Sequence, residues 1–495
     1  MSREPLPAAA VEAQSGLPPW QPADLPPAPS PKGLGWLAAV GPGVIVLGIS
    51  IGSGEFLLGP AVFVKHGLTL LWVTSVAVLL QTIFNLELMR YTLATGEPAL
   101  TGFMRSRPSS SFWAWFYSIL YFLQTGWPAW AANAAGALFF LWARRLAGPA
   151  DASLVYWIGV STFLVTILIL LVGRRIERTL EILNWILIAW ILGSFLILAV
   201  LFVPLDTWLA AGAGLAGFDT RSGAFDLMPG NLDPVLLAAL VAYSGCGGMT
   251  NLTLTNWARD RGYGMGERVG YIPAAVGGAK VQLAHTGFMF QADAGNLSRW
   301  HGWWRIVRAD QWGVFFLGGM LGMILPALLY VTFLPAGTEI RGLGIAAALA
   351  SSVGAQAGPI LGGSIALLGA WLLFKTQLDN MEGMVRALTD VLWTGSGRLR
   401  GWRGGDVRSV YYTVLAASVV WGMIALGMSQ PIVLLQVGAN VASVAFIVTS
   451  LHLLYINTKL LPPALRPPMW RRLVLVAMSM FYGYFSFLSI SSLLR

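Results

Sequence analysis

Apolar runs close to the length of a bilayer crossing, about 20 residues, recur along the whole chain. Eleven spans follow from them, at approximately 36–62, 68–94, 112–142, 154–172, 180–203, 233–255, 312–334, 359–390, 408–427, 431–456 and 470–493. None shows the alternating polarity, in segments of about ten residues, that marks a membrane β-barrel. The pattern predicts an all-α polytopic membrane protein. Residues 256–311 are too polar at their flanks for another span. They are expected to form a long cytoplasmic loop, with a re-entrant or amphipathic piece around "YIPAAVGGAKVQLAHTGFMF". The Pro- and Ala-rich first 35 residues have no apolar core and are expected to be a disordered cytoplasmic tail without a cleavable signal peptide.

Two spans carry an interruption near their middle. The first has Gly52-Ser53-Gly54 followed by Glu55, in "LGISIGSGEFLLGP". The sixth has "YSGCGGMTN", residues 243–251, with Gly245, Gly247 and Gly248. Glycines in membrane helices often only allow close packing. Interruptions five helices apart, in corresponding positions of two halves, are also the sequence mark of an inverted-repeat transporter. The repeats would be residues 36–203 and 233–456, forming a transporter core with 470–493 as a peripheral eleventh helix.

Composition sharpens this picture. The chain is 56% hydrophobic and 11% charged, about half the charge of a soluble protein. Its formal charge of +9 does not imply nucleic acid, because basic residues of membrane proteins gather in cytoplasmic loops. With the N-terminus placed in the cytoplasm, 24 of the 31 Lys and Arg fall inside and 6 outside, with Lys375 left within span eight. That bias supports both the orientation and the number of spans. The single cysteine, Cys246, excludes an internal disulfide and a multi-cysteine metal cluster. No phosphate-binding glycine loop, nucleophile elbow or pair of catalytic carboxylates is present, so neither an enzyme nor an ATP-driven pump is expected, and no cofactor.

Charges inside the spans are the candidate chemistry. A charge at mid-membrane costs roughly 2.5–3.5 kcal/mol on insertion scales. A helix break beside Glu55 offsets part of that cost, since it frees carbonyls for cations and exposes N–H groups that favour a carboxylate. Gly52, Ser53, Glu55, Gly248 and Asn251 are the candidate substrate- or ion-binding residues, with Glu55 the candidate metal ligand. The plainer alternative is a Glu55 that only caps the second half-helix or pairs with a base. Span eight holds Lys375, Asp379, Glu382 and Asp390. Lys375 and Asp379 stand at i and i+4 and Glu382 three further on, so all three share a face. Lys375 either pairs with Asp379 or stands as a fixed positive charge near Glu55, replacing a coupling cation or binding an anionic substrate group. Glu87 is expected to pair with Arg90. His452 is a proton-relay candidate, with a locally satisfied ring as the commoner case. Asn440 and Ser443 are further polar contributors.

The chain resembles the Nramp family of divalent metal transporters, within the amino acid–polyamine–organocation superfamily. The likeness spans roughly residues 36 to 460. It is carried by "GPGVIVLGIS", "KHGLTLLWVTSVAVLLQTIFNLELMRYTLATGEPAL", "GRRIERTLEILNWILIAW" and "LLYINTKLL". It implies a LeuT-like 5+5 inverted repeat of about eleven helices with helices 1 and 6 broken, working as a secondary transporter. The site motifs depart from the family. Its first-helix Asp-Pro-Gly-Asn falls on Gly52, Ser53, Gly54 and Glu55, and its sixth-helix Met-Pro-His-Asn on Gly248, Met249, Thr250 and Asn251. Residues 112–142 lack the family's acidic proton-transfer groups. Lys375 and Asp379 stand where family members carry neutral polar residues. The resemblance implies a multi-pass protein of a bacterial plasma membrane. It would move a cation, a divalent metal ion foremost, by alternating access through a rebuilt site. Small organic solutes are the alternative cargo, and a non-transporting sensor the third reading.

Overall fold

The computed structural model describes residues 15–33, 35–171, 176–230, 232–272, 283–338, 344–428 and 431–494, without the side chains of residues 37, 38, 176–180, 431 and 432. The first 14 residues, Arg174, Arg175 and residues 273–282 of the Gly-rich stretch lie outside the described residues.

Among the described residues, nine helices are long and apolar enough to cross a membrane, and the expected third and sixth spans are each made of two shorter helices. In chain order these are α1 (Pro42–His66), α2 (Leu71–Thr95), α3a (Ser110–Thr125) with α3b (Ala129–Ala143), α4 (Ala152–Leu171), α5 (Ile176–Phe202), α6a (Pro234–Tyr243) with α6b (Met249–Asp260), α7 (Ala294–Phe333), α8 (Pro359–Gly395), α9 (Val407–Ala425), α10 (Pro431–Lys459) and α11 (Met469–Leu493). Their ends follow local chemistry. The Asp233 carboxylate accepts from Val235 N and Leu236 N at 2.9 and 3.1 Å, and Pro234 sits at the first position of α6a, where no N–H is needed. Gly96 closes α2 in the left-handed conformation.

Burial ranks the helices. In α1, 94% of the most apolar window is buried inside the protein, against 28–39% for α4, α5, α9 and α11. So α1 runs through the centre, and the other four present apolar side chains outward, as lipid-facing helices do. Glycines make the central packing possible. A Cβ on Gly48 or Gly52 would overlap Lys375 or Thr376 of α8, and one on Gly54 would lie 2.7 Å from Ser244 N.

Four expectations change. The third span, read as continuous over 112–142, is split at Gly126-Trp127-Pro128, where the imide of Pro128 cannot donate to the helix ladder. The seventh begins not at 312 but at 294, inside the expected loop. Residues Ala294–Arg308 form an amphipathic helix burying Trp300, Trp303, Ile306 and Val307, and it runs straight into the apolar span through a π-helical stretch, Ala309–Phe316. A helix at Ile345–Ala357 was not expected. It folds back on α8, with Ala350 and Gly354 against Gly362, and Ala346 against Gly369. Finally, residues 15–33 are not a free tail. They lie against the protein, with Leu17 and Leu25 buried and Gln21–Pro22 paired in parallel with Phe288–Met289. Seven prolines in this stretch leave an extended chain little entropy to lose on docking.

Gly54 supplies a test of the packing. Replacing it by Ala should lower thermal stability in detergent, by about 1–3 kcal/mol for an overpacked site. Gly193→Ala, at a position with nothing within 4 Å, should leave the melting temperature unchanged.

Candidate functional site

The two interruptions meet at the centre of the bundle, and they are of different kinds. In α1 the glycines do not unwind the chain. Residues Ile51–Leu58 wind as a π-helix between two α-helical segments. Such a widened turn is common at functional sites. In α6 the helix stops at Tyr243 and resumes at Met249. Gly245, Gly247 and Gly248 all take positive φ, at 104°, 91° and 58°, which glycine adopts without steric cost.

Peptide groups freed by the α6 break need partners, and side chains of other helices provide them. Gln81 of α2 donates to Ser244 O at 2.8 Å and accepts from Gly247 N at 3.2 Å. Gln124 of α3a donates to Gly247 O at 2.7 Å and accepts from Met249 N at 2.8 Å. Thr250 Oγ1 donates to Cys246 O at 2.7 Å. Glu55 accepts from Gly245 N at 3.0 Å and from the Ser50 hydroxyl, both through Oε1. Its Oε2 is buried with no hydrogen-bond partner.

The expected site residues divide accordingly. Glu55, Ser53 and Gly52 lie on the π-helical stretch and Gly248 and Asn251 at the start of α6b, so the two interruptions are brought together. Ser53 is engaged within the protein, donating to Ile49 O at 2.8 Å and accepting from Trp130 Nε1 at 3.1 Å. The space beside Gly52 is filled by Thr376, whose hydroxyl donates to Leu372 O and Gly48 O. Gly248 abuts Gln124 and the backbone of Ala442. Asn251 donates to Asn85 Oδ1 at 2.9 Å, while Asn251 Oδ1 and Asn85 Nδ2 are buried without partners.

The charges of α8 separate into two groups. Lys375 Nζ lies 3.0 Å from Asp379 Oδ2, and Asn184 of α5 donates to Asp379 Oδ1 at 3.2 Å. Lys375 Nζ fills the space left by Gly48, seven residues before Glu55 on α1. The thiol of Cys246 is within electrostatic reach of Glu55, Lys375 and Asp379 alike. Glu382, one turn along, faces elsewhere. It pairs with Arg386 and accepts from Trp257 Nε1 at 2.8 Å. Arg386 also pairs with Asp260, and Arg259 reaches Asp390 at 2.5 Å and Asp260 at 2.6 Å. This buried network ties the end of α6b to α8, on the face of the bundle where residues 15–33 lie.

Other polar residues have local roles. Glu87 pairs with Arg90 at 2.7 Å and with Arg471 at 3.0 Å. His452 is satisfied by Ser106 at 2.5 Å and Tyr117 at 2.7 Å. Asn440 ties α10 to α6a and α11, donating to Val235 O and accepting from Ser489; Ser443 is buried with an unpartnered hydroxyl. Gln81, Gln124, Thr376 and Asn184 are the site-forming residues that span assignment missed. Their signal was a neutral polar side chain inside an apolar run.

No protein-family model matches the chain, and no curated protein matches it. Solved structures do. A manganese transporter from Eremococcus coleocola, in complex with an aromatic bis-isothiourea substituted compound, is 17% identical over 94% of this chain and 89% of its own, with a TM-score of 0.60. A mutant of the same transporter aligns at 16% identity, with the same coverage and a TM-score of 0.59. The two chains share a fold. A nucleobase-cation-symport-1 family transporter aligns over 92% of both chains at 11% identity, with a TM-score of 0.48, too loose a likeness to add to that.

The Lys375–Asp379 pair makes a prediction. Lys375→Met leaves a buried carboxylate uncompensated and should cost about 3–5 kcal/mol. Adding Asp379→Asn should restore most of that stability. Additive losses in a double-mutant cycle followed by thermal unfolding would mean that the two do not act as a pair.

Proposed function

We propose that this chain is a secondary active transporter that carries a cation by alternating access around the α1–α6 junction. The observation that carries this reading is the isolation of Glu55. Asp379 has Lys375, Glu382 has Arg386, and Asp390 has Arg259. Glu55, 0% exposed at mid-helix, is held by neutral donors alone, and one of its oxygens is unpartnered. Burying a carboxylate this way is costly, and a positively charged guest relieves that cost. The buried Asp310 shows the structural alternative, with both oxygens met by neutral donors; Glu55 differs in the oxygen it keeps without a partner.

Glu55 would bind the guest through Oε2, with Ser50 and Gly245 N–H fixing Oε1 and thereby the direction of the free lone pairs. Asn251 Oδ1 and main-chain carbonyls of the α6 break would add neutral oxygens, the donors that suit hard divalent cations. Lys375, already paired, would hold the α1–α8 side of the site neutral overall. The shared fold with a manganese transporter supports a divalent metal ion as the first cargo to test. One observation favours a small organic cation instead: among the described residues no three His, Cys, Asp or Glu side chains stand together as a metal site.

Calorimetry on the purified protein separates these cargoes. A divalent ion, Mn²⁺ or Mg²⁺, should bind with measurable heat, and Glu55→Gln should abolish that heat while leaving size-exclusion behaviour unchanged. Absence of heat across the divalent series, with Glu55-dependent binding of a small alkylammonium ion, would assign the organic cation. Binding that survives Glu55→Gln for both classes would refute the site.

A further inference from the structure

Residues 15–33 make an unusual number of specific contacts for a proline-rich segment. Arg105 donates to Pro18 O at 2.9 Å and its guanidinium lies 5.0 Å from the Trp20 ring, which also packs on Tyr91 of α2. Gln21 N and Ala23 N donate to Gly287 O and Met289 O in the segment leading to α7. On α7 itself, Asn296 Oδ1 accepts from Leu25 N at 3.0 Å, Arg299 donates to Leu25 O at 2.8 Å, and Trp303 Nε1 donates to Pro26 O at 2.9 Å. Arg105 is itself oriented by the buried carboxylate of Glu97. Two of the three strap carbonyls named here are met by side chains that other contacts fix, Arg105 by Glu97 and Trp303 by Tyr263, so the strap lies in a prepared groove.

The strap runs on into α1. Trp36 packs under Arg305 of α7, Tyr263 donates to Ala39 O, and the first turn of α1 is clamped by Asp310 of α7, which accepts from Gly41 N at 3.1 Å and Gly43 N at 2.9 Å. The leading end of α1 is thus splinted to α2 and α7. Glu55 lies further along the same helix. For the site to open on this face, α1 must leave its neighbours on α5 and α8. Two restraints oppose that move: the strap, which crosses from α2 and α7 to the start of α1, and the Asp310 clamp, which ties α1 to α7 whether or not the strap is docked.

We propose that the 15–33 strap is a latch that helps hold the candidate site closed on its own face, and that its release removes one of the two restraints on the leading half of α1. This rests on the alternating-access reading above. Its mechanical consequence is that strap release raises the population open on this face without any change at the site. Phosphorylation, proteolysis or a partner acting on the strap would then set the transport rate from outside the membrane core.

The chain's one cysteine reports on this directly. Cys246 lies in the α6 break and is 1% exposed, so a membrane-impermeant thiol reagent applied to the strap's face modifies it only when that face opens. When opening and closing outrun modification, the labelling rate measures the open population. Leu25→Ala on the strap and Asn296→Ala on α7 each loosen the latch from one side. Both should raise Cys246 labelling about tenfold or more, as the loss of a buried anchoring contact implies. Limited proteolysis confirms strap release, and an unchanged melting temperature of the remaining core confirms folding. Should the strap become protease-sensitive while labelling keeps its wild-type rate, α1, α2 and α7 move as one body and the latch is refuted, with alternating access intact. Should Cys246 resist modification from both faces in wild type and variants alike, the site does not open, and both the latch and the transport reading fall.

Discussion

A peptide group that leaves its helix inside a bilayer must find another partner, because no water waits there to replace the lost hydrogen bond. The break in α6 obeys this constraint through side-chain amides. Gln81 and Gln124 each give one donor and one acceptor to the same five-residue gap, and they come from different helices, α2 and α3a. A side-chain amide does this from two separate atoms of one planar group, whereas an ionised carboxylate only accepts and a hydroxyl must do both through a single oxygen. The arrangement makes the break a junction of three helices. It also accounts for the glycines, whose positive φ turns successive N–H and C=O groups toward these amides. Gly54 then lets α1 approach the same gap closely enough for Glu55 to take the N–H of Gly245.

The same constraint governs the charges. The described core holds many ionised side chains at or below 4% exposure, and nearly all are in close pairs. A buried pair adds little net stability, but a buried charge that loses its partner costs several kcal/mol. Pairs therefore act less as glue than as rules about which helices stay together. Lys375 and Asp379 lie on one helix and neutralise each other, with a neutral amide, Asn184 of α5, as their link to another helix, whereas Arg386 and Arg259 bridge α6b and α8. Glu55 and Asp310 both stand outside this pairing, each held by neutral donors, but both oxygens of Asp310 are met by the start of α1 and by Gln311, whereas Glu55 keeps one oxygen without a partner.

Much of this was legible in the sequence. The apolar runs placed all eleven crossings, since roughly 20 residues without charge have few other uses, and the i, i+4 spacing of Lys375 and Asp379 already contained their pairing. Glycine clusters marked both interruptions but not their kind. Whether a Gly-Ser-Gly run unwinds or winds as a π-helix depends on what fills the space beside it, and Thr376 and the Tyr243–Ser244 backbone are distant in sequence. The split at Gly126-Trp127-Pro128 was present in a single proline that the surrounding hydrophobicity outvoted. The strap was hidden by composition. A Pro- and Ala-rich stretch reads as disordered because it cannot form a core of its own. Yet Leu17, Trp20 and Leu25 need only a groove supplied by others, and Arg105, Asn296, Arg299 and Trp303, which build that groove, lie more than 80 residues away.

The closed form described here has consequences for how it can open. Glu55, Lys375 and Asp379 are all 0% exposed, so the site is sealed from both faces. Toward the strap's face the seal is ionic: two arginines and three carboxylates, with Trp257 donating to Glu382 and Asn256 to Asp390. Toward the other it is apolar, with Phe56 against Phe195 and Tyr330 and the helix Ile345–Ala357 laid on α8. An apolar seal opens at a cost that scales with the area exposed. An ionic seal cannot open part-way, because each separated charge needs water or a new partner at once. The two faces therefore differ in cooperativity. In the proposed transport cycle, opening on the strap's side would be a single concerted hydration of the α6b–α8 network, and a second restraint on α1 at that same face would be where control of such a step is most effective.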